Sequence, residues 1–301
     1  MYRKHEEFSD SYITSRANFH VHKLTAHVGA RISNIKISKI LSPSEFADIH
    51  AAWLAHGVLV IPDQDISVEE LVKFTKLFGD LVPHVVSGFN SKEFPDVTIL
   101  SNIKGEDGAG IGADRSGMQW HTDGSFRECP PKASMLHGIE CPPEGANTEF
   151  CSTRAAFDEL PTDEKVFLSE LQGVHDYCWY WENFQPHRPP LSDDVRKSTP
   201  PMIHPALRTH PETRWNSIYV MSCMTRTFVG MEEEDSKKII EDLTNFSSQE
   251  KFCYSHKWKE KDLVIWDNRA TMHRATEFSN EYRRLMRRTS VKGDRPFFRG
   301  L

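Results

Sequence analysis

The sequence holds no CxxC pair, no internal repeat, no block of like charge longer than residues 232–235 (EEED), and near its start no apolar run longer than Val58–Ile61. Each absence removes a class of protein. The six cysteines, Cys129, Cys141, Cys151, Cys178, Cys223 and Cys253, are scattered without the density of a disulfide scaffold, so they read as reduced thiols. A polar first stretch (MYRKHEEFSD) and no segment of spanning length leave neither a signal peptide nor a membrane span, so a cytosolic chain without a membrane partner is expected. Lys plus Arg at 37 against Asp plus Glu at 43 give a net charge of −6, which offers no electrostatic footprint for nucleic acid.

What is present suffices for a core. The 301 residues are 38% hydrophobic and include 18 Phe, more than a disordered chain would carry, and barrels and sandwiches of this length form one unit. A single domain over residues 1–301 is expected, with residues 1–22 as an arm or first edge strand. From Ser42 a capping serine, a proline just inside and apolar residues at Phe46, Ile49, Ala52 and Trp53 predict a helix stopped by Gly57. A second helix is predicted from Ser67 to Phe78, and residues 236–246 read as a third. Residues 104–117 (KGEDGAGIGADRSG) read as a mobile loop. Beyond Trp120, short apolar stretches at 134–139, 148–151, 218–221 and 263–266 alternate with Pro and Gly turns. That rhythm predicts a mainly β fold with α elements, a sandwich or jelly roll decorated with helices.

The chemistry concentrates in Trp120-His121-Thr122-Asp123. On a strand, residues i and i+2 share a face, so the imidazole and the carboxylate could both reach one ion. His273, after the strand-like run LVIW, could be placed by a loop over the sheet as a third ligand. Two histidines and one carboxylate form the set that binds non-haem Fe(II) and leaves positions open for a cosubstrate and O2. Arg284 and Arg288 follow His273 and, four apart, point to one side in either a helix or a strand. Their guanidinium forks suit a dicarboxylate cosubstrate or an acidic substrate, whereas Arg283 and Arg287 read as surface residues.

These residues carry a resemblance. The segments WHTDGSF (120–126), PPEGANTEFCSTRAAFDELP (142–161), HPALRTHPET (204–213), WDNRATMHRAT (266–276) and RRLMRRTSVKGDRPF (283–297) resemble the Fe(II)- and 2-oxoglutarate-dependent dioxygenases of the taurine dioxygenase and 2,4-dichlorophenoxyacetate dioxygenase family. The resemblance covers roughly residues 24–297 and implies a double-stranded β-helix, or jelly roll, with helical insertions. It implies His121, Asp123 and His273 as iron ligands, Thr148 and Arg284 as partners of the 2-oxoglutarate distal carboxylate, and Arg288 beside the substrate's anionic group and the cosubstrate's inner carboxylate, either of which it could meet. His84, in LVPHVVSG, resembles a substrate-side histidine of the family; a structural role is its alternative. Sulfonate-oxidising members have an Asn where this chain has Gly117, so taurine is not the expected substrate.

The activity so implied consumes 2-oxoglutarate and O2, releases succinate and CO2, and hydroxylates a small, anionic organic substrate, with cleavage, desaturation or cyclisation as other outcomes. Residues 104–117 are placed to form a lid over the site. Trp120, Phe126 and Trp266 read as core packing around the ligands. The cluster Tyr177, Trp179, Tyr180, Trp181 and Phe184 walls either the substrate pocket or an interface in a homo-oligomer. Two other readings remain: a zinc hydrolase on the same three ligands, which gives Thr148 and Arg284 no task, and a 2-oxoglutarate-binding protein without turnover, against which an intact ligand set argues.

Overall fold

The computed structural model describes residues 19–301. Of the expected N-terminal arm, residues 1–18 lie outside the described residues, and His20–Lys23 forms an edge strand. It opens a seven-stranded sheet that continues through Ala30–Ser33, Val58–Ile61, Leu263–Asp267, Ala133–Glu140, Leu285–Val291 and Val97–Ser101. Neighbours are antiparallel except Ala30–Ser33 with Val58–Ile61. A three-stranded antiparallel sheet combines Cys253–His256, Thr148–Ser152 and Thr271–Ala275. A second has the order Thr225–Phe228, Gln172–His175 and Met202–Pro205.

Alternation along the strands builds two cores. Leu59, Ile61, Leu263 and Ile265 face two helices, where Trp53, Phe74 and Phe78 pack on them; the intervening Val58, Val60, Val264 and Trp266 face the smaller sheet, meeting its Phe150. The helix Pro43–His56 begins with a capping box between Ser42 and Glu45 and ends at Gly57, whose φ of 69° favours glycine. Val68–Lys76 repeats the box with Ser67 and Glu70, but ends before the predicted Phe78 because the chain turns through Leu77 and Phe78 to Gly79. The third predicted helix runs over Glu233–Ser247.

Two local expectations are corrected. His121 and Asp123 are not on one strand: His121 forms an isolated antiparallel bridge with His273, and Asp123 starts a turn. Asn268 shapes that turn by accepting the Asp123 N–H at 3.1 Å and the Thr122 hydroxyl at its carbonyl at 2.7 Å. His273 is not carried by a loop but sits in the strand Thr271–Ala275, because Asp267 to Ala270 makes a tight turn that starts a new strand. The site therefore lies where a strand of the smaller sheet faces Leu285–Val291 of the larger one.

Candidate metal and cosubstrate site

His121 and His273 exchange backbone hydrogen bonds of 3.0 and 2.7 Å, which brings their ring centroids to 4.1 Å. Each imidazole Nε2 stands 3.9 Å from a different oxygen of Asp123, and one ligand atom from each residue lies within 4.8 Å of the others. At 3.9 Å none of these is a hydrogen bond, and the gap is that of donors converging on an ion rather than on each other. His121 Nδ1 lies 2.7 Å from the Gln119 carbonyl, an acceptor only, so the ring proton belongs on Nδ1 and the Nε2 lone pair faces the centre. Burial lowers the pKa of both imidazoles, and for His273 the neighbouring His121 lowers it further. Burial alone would raise the Asp123 carboxyl, but Arg288, then the imidazoles and the Ser134 hydroxyl outweigh it and hold it below the ordinary carboxylate range. Two neutral imidazoles and an ionised carboxylate are the protonation states a ferrous ion requires, so the donor set fits.

Asp123 is held at both oxygens. Arg288 Nη1 donates to Oδ1 at 3.0 Å and the Ser134 hydroxyl to Oδ2 at 2.6 Å. Asn268 Nδ2 donates to Ser134 Oγ at 3.0 Å, and Trp266 Nε1 donates to Asn268 Oδ1 at 3.0 Å. Sequence reasoning missed Ser134 and Asn268; the only signal was the WDNR segment itself, which assigns Asn268 no role.

The ligands open onto a cavity of about 130 Å3 that Thr148, Arg284, Arg288 and His84 also line. Thr148 Oγ accepts from Trp258 Nε1 at 2.9 Å, which leaves its own proton to donate to an acceptor in the cavity. Arg284 is buried, and desolvation pushes its guanidinium down to about 10, as expected of a cation waiting for an anion. Met286 joins the core between the sheets, whereas Thr289 turns to the other face and meets the Thr75 hydroxyl at 2.8 Å; the even-numbered arginines thus face inward. Arg283 lies outside, donating to Glu140 at 2.7 and 3.2 Å. His84 accepts the Val86 N–H on Nδ1 at 3.0 Å, and burial, followed by the charge of Arg288, pushes its pKa down to about 3.

Residues 104–117, the loop expected to form a lid, carry some regular structure of their own. Lys104 and Gly110 bridge within a small hairpin, and only Ala113, Ser116 and Gly117 of the segment reach the cavity. Gly117 has a φ of +74°, and a Cβ there would stand 2.8 Å from His121 Cε1, so a side chain at this position would strike the ligand ring. Arg188, which the sequence did not flag, donates to Ser116 Oγ at 3.1 Å, to the Asp114 carbonyl and, at 2.8 Å, to Gln185 Oε1. Its guanidinium carbon lies 5.1 Å from the Phe89 ring centroid and 5.6 Å from that of Trp181. Phe126 and Trp266 are buried as expected yet also line the cavity, while Trp120 is only partly buried beneath Arg274. Of the aromatic cluster, Tyr177, Tyr180 and Trp181 line the cavity.

A strand-rich sandwich with two imidazoles, one carboxylate and a buried arginine at one end defines a metal-dependent oxygenase site with room for a dicarboxylate. Residues 20–290 match the family model "Taurine catabolism dioxygenase TauD, TfdA family", and the chain belongs to that family. It is a 2-oxoglutarate-dependent, non-haem iron dioxygenase. It is 30% identical over 275 residues to an alpha-ketoglutarate-dependent 2,4-dichlorophenoxyacetate dioxygenase of Burkholderia sp. (strain RASC), covering 88% of this chain and 91% of the other. It is 32% identical over 279 residues to an alkylsulfatase of Acinetobacter baylyi, covering 90% and 84%. Among solved structures, AAD-2 in complex with Mn(II) and N-oxalylglycine superposes with a TM-score of 0.79 at 30% identity, covering 94% of this chain and all of that one. A taurine dioxygenase from Burkholderia xenovorans gives 0.79 at 29% identity, covering 94% and 92%. No helix among the described residues is long and apolar enough to cross a membrane.

Proposed function

We propose that the chain oxidises a small organic anion at an iron centre held by His121, Asp123 and His273. The observation that carries this reading is the convergence of three ligand atoms within 4.8 Å, with His Nε2 to carboxylate distances of 3.9 Å, beside a buried arginine. Iron with 2-oxoglutarate and O2 supplies the oxidising power, and the products are succinate, CO2 and an oxidised substrate. Thr148 donates its hydroxyl, and Arg284 its fork, to the distal carboxylate of 2-oxoglutarate. Arg288 and His84 orient the substrate's anionic group near the iron ligands. The 2,4-dichlorophenoxyacetate dioxygenase and alkylsulfatase relatives, whose names point to a carboxylate and a sulfate ester, support an anionic substrate here. Residues 113–117 cover the cavity, and Arg188 fastens that cover to the aromatic wall, excluding water from the reacting centre. Six free thiols agree with a reducing, cytosolic setting.

The test is succinate release from purified protein supplied with Fe(II), 2-oxoglutarate and air, against panels of carboxylates, sulfonates, sulfate esters and phosphonates. Release that rises above the no-substrate rate with one panel, and only when iron is present, is the expected result. A chain that turns over no 2-oxoglutarate under any of these conditions contradicts the reading.

A further inference from the structure

The substrate side of the cavity carries more positive charge than one monoanion balances. Besides Arg284 and Arg288, Arg127 and Arg188 line it, but Arg188 is engaged by Ser116, Gln185 and the Asp114 carbonyl and lies over the Phe89 and Trp181 rings. Arg127 stands six residues after His121, outside the segments that suggested a substrate role, and among the described residues it forms no ion pair. Its Nη2 donates to the neutral Pro83 carbonyl at 3.0 Å, and partial burial, reinforced by the charge of Arg288 and opposed by Tyr177, lowers the pKa of its guanidinium. Arg288 is incompletely matched as well: Nη1 meets Asp123, but its Nε is buried without a hydrogen-bond partner. His84 lines the same cavity and directly follows Pro83, whose carbonyl accepts from Arg127. Because its Nδ1 accepts the Val86 N–H, its ring proton belongs on Nε2, where it is a neutral donor.

The charges can be assigned in turn. The two of iron and the one of Arg284 are balanced by Asp123 and the two carboxylates of 2-oxoglutarate; with Arg188 turned to the cover, this leaves Arg127 without an anion and Arg288 sharing Asp123 with the metal. Two partly desolvated like charges facing one cavity are costly unless an anion sits between them. We propose that His84, Arg127 and Arg288 form one cradle for a doubly charged head group, such as a phosphonate or phosphate monoester, with Arg127 selecting it over a singly charged sulfonate or carboxylate. This rests on the reading of the site as an iron and 2-oxoglutarate centre, and it specifies the substrate class of that centre. The wall of Phe89, Tyr177, Tyr180 and Trp181 suits an aromatic body attached to the head group.

Phenylphosphonate and benzenesulfonate share a ring and differ in charge at about pH 8.5. Each is titrated calorimetrically, under argon, into protein already loaded with Fe(II) and 2-oxoglutarate. The expected result is that phenylphosphonate binds at least about tenfold more tightly, the effect of one added charge-assisted contact. Arg127→Gln should remove most of that preference, weakening phenylphosphonate several-fold more than benzenesulfonate, and Arg127→Lys, which keeps the charge, should retain most of it. Equal affinity for the two probes, binding of neither, or a preference that survives in Arg127→Gln overturns the proposal. The preceding 2-oxoglutarate titration separates the two levels: normal cosubstrate binding without phosphonate preference sinks only the head-group inference, whereas failure to bind 2-oxoglutarate sinks the reading beneath it.

Discussion

Two buried aspartates, Asp123 and Asp267, are each surrounded by arginine and histidine, yet only one set is open. Asp267 is saturated: Arg269 donates to Oδ1 from Nε and to Oδ2 from Nη2, both at 2.8 Å, and His210 Nε2 lies 3.0 Å from Oδ2. Arg269 continues to Glu212 at 2.6 Å and packs over Trp53, closing a structural knot between sheet and helix. Asp123 accepts only one bond at each oxygen, and its two imidazoles stand off at 3.9 Å. The same residue types therefore hold themselves together in one place and converge on an ion in the other, and distance, not composition, separates the two roles.

That contrast can be broken at either end. Replacing His121, Asp123 or His273 by Ala should lower coupled succinate release by orders of magnitude while circular dichroism and thermal unfolding stay near wild type, because an open ligand set contributes little to the fold. Asp267→Asn should do the reverse. It leaves the buried Arg269 with Glu212 alone as counter-ion and should destabilise the protein by about 3 kcal/mol, read by denaturant unfolding, while the folded protein still binds iron. Arg284→Ala should raise the 2-oxoglutarate KM about 10- to 150-fold with a much smaller effect on substrate affinity, since one desolvated charge-assisted contact is lost; an unchanged KM would reduce Arg284 to a structural neighbour. Ser134→Ala should weaken Fe(II) binding by about tenfold, the lower end for a group that orients a ligand, without a matching loss of stability.

A further prediction concerns pH. His84, at about 3, and His204, at about 4, are held below the ordinary histidine value, and His175 lies well below it, in each case chiefly by burial. The unfolded chain takes up protons at these sites near pH 6.5 while the folded chain does not, so their contribution is intact above that pH and is lost as the pH falls. Each adds a slope of up to about 1.4 kcal/mol per pH unit below about pH 6. Unfolding midpoints of the metal-free protein should therefore drop between pH 7 and 5, and a flat profile would mean that these rings are already protonated in the fold.

Much of this was legible in the sequence. Capping serines and stop glycines announced the first two helices, and Arg284 and Arg288 do line one cavity as their spacing suggested, although Arg284 precedes the strand Leu285–Val291. The ligand types were readable, but their carriers were not. Neither the single bridge between His121 and His273 nor the turn under Asp123 has a local pattern; the bridge is made between backbones distant in the chain, and the turn depends on Asn268, 145 residues along the chain from Asp123. Ser134, Trp258, Arg127 and Arg188 escaped for a similar reason, since each acts through a tertiary contact. Gly117 could be seen as a departure from a sulfonate-oxidising pattern, but only its φ and its closeness to His121 show why no side chain fits there.

The most direct test of the central contrast is the iron content of three proteins, wild type, Asp123→Ala and Asp267→Asn, each loaded with Fe(II) under argon and freed of excess metal. Close to one iron per chain in the wild type and in folded Asp267→Asn, with almost none in Asp123→Ala, is the predicted result. Full iron retention by Asp123→Ala, or its loss from folded Asp267→Asn alone, would contradict the assignment of the open set as the metal centre.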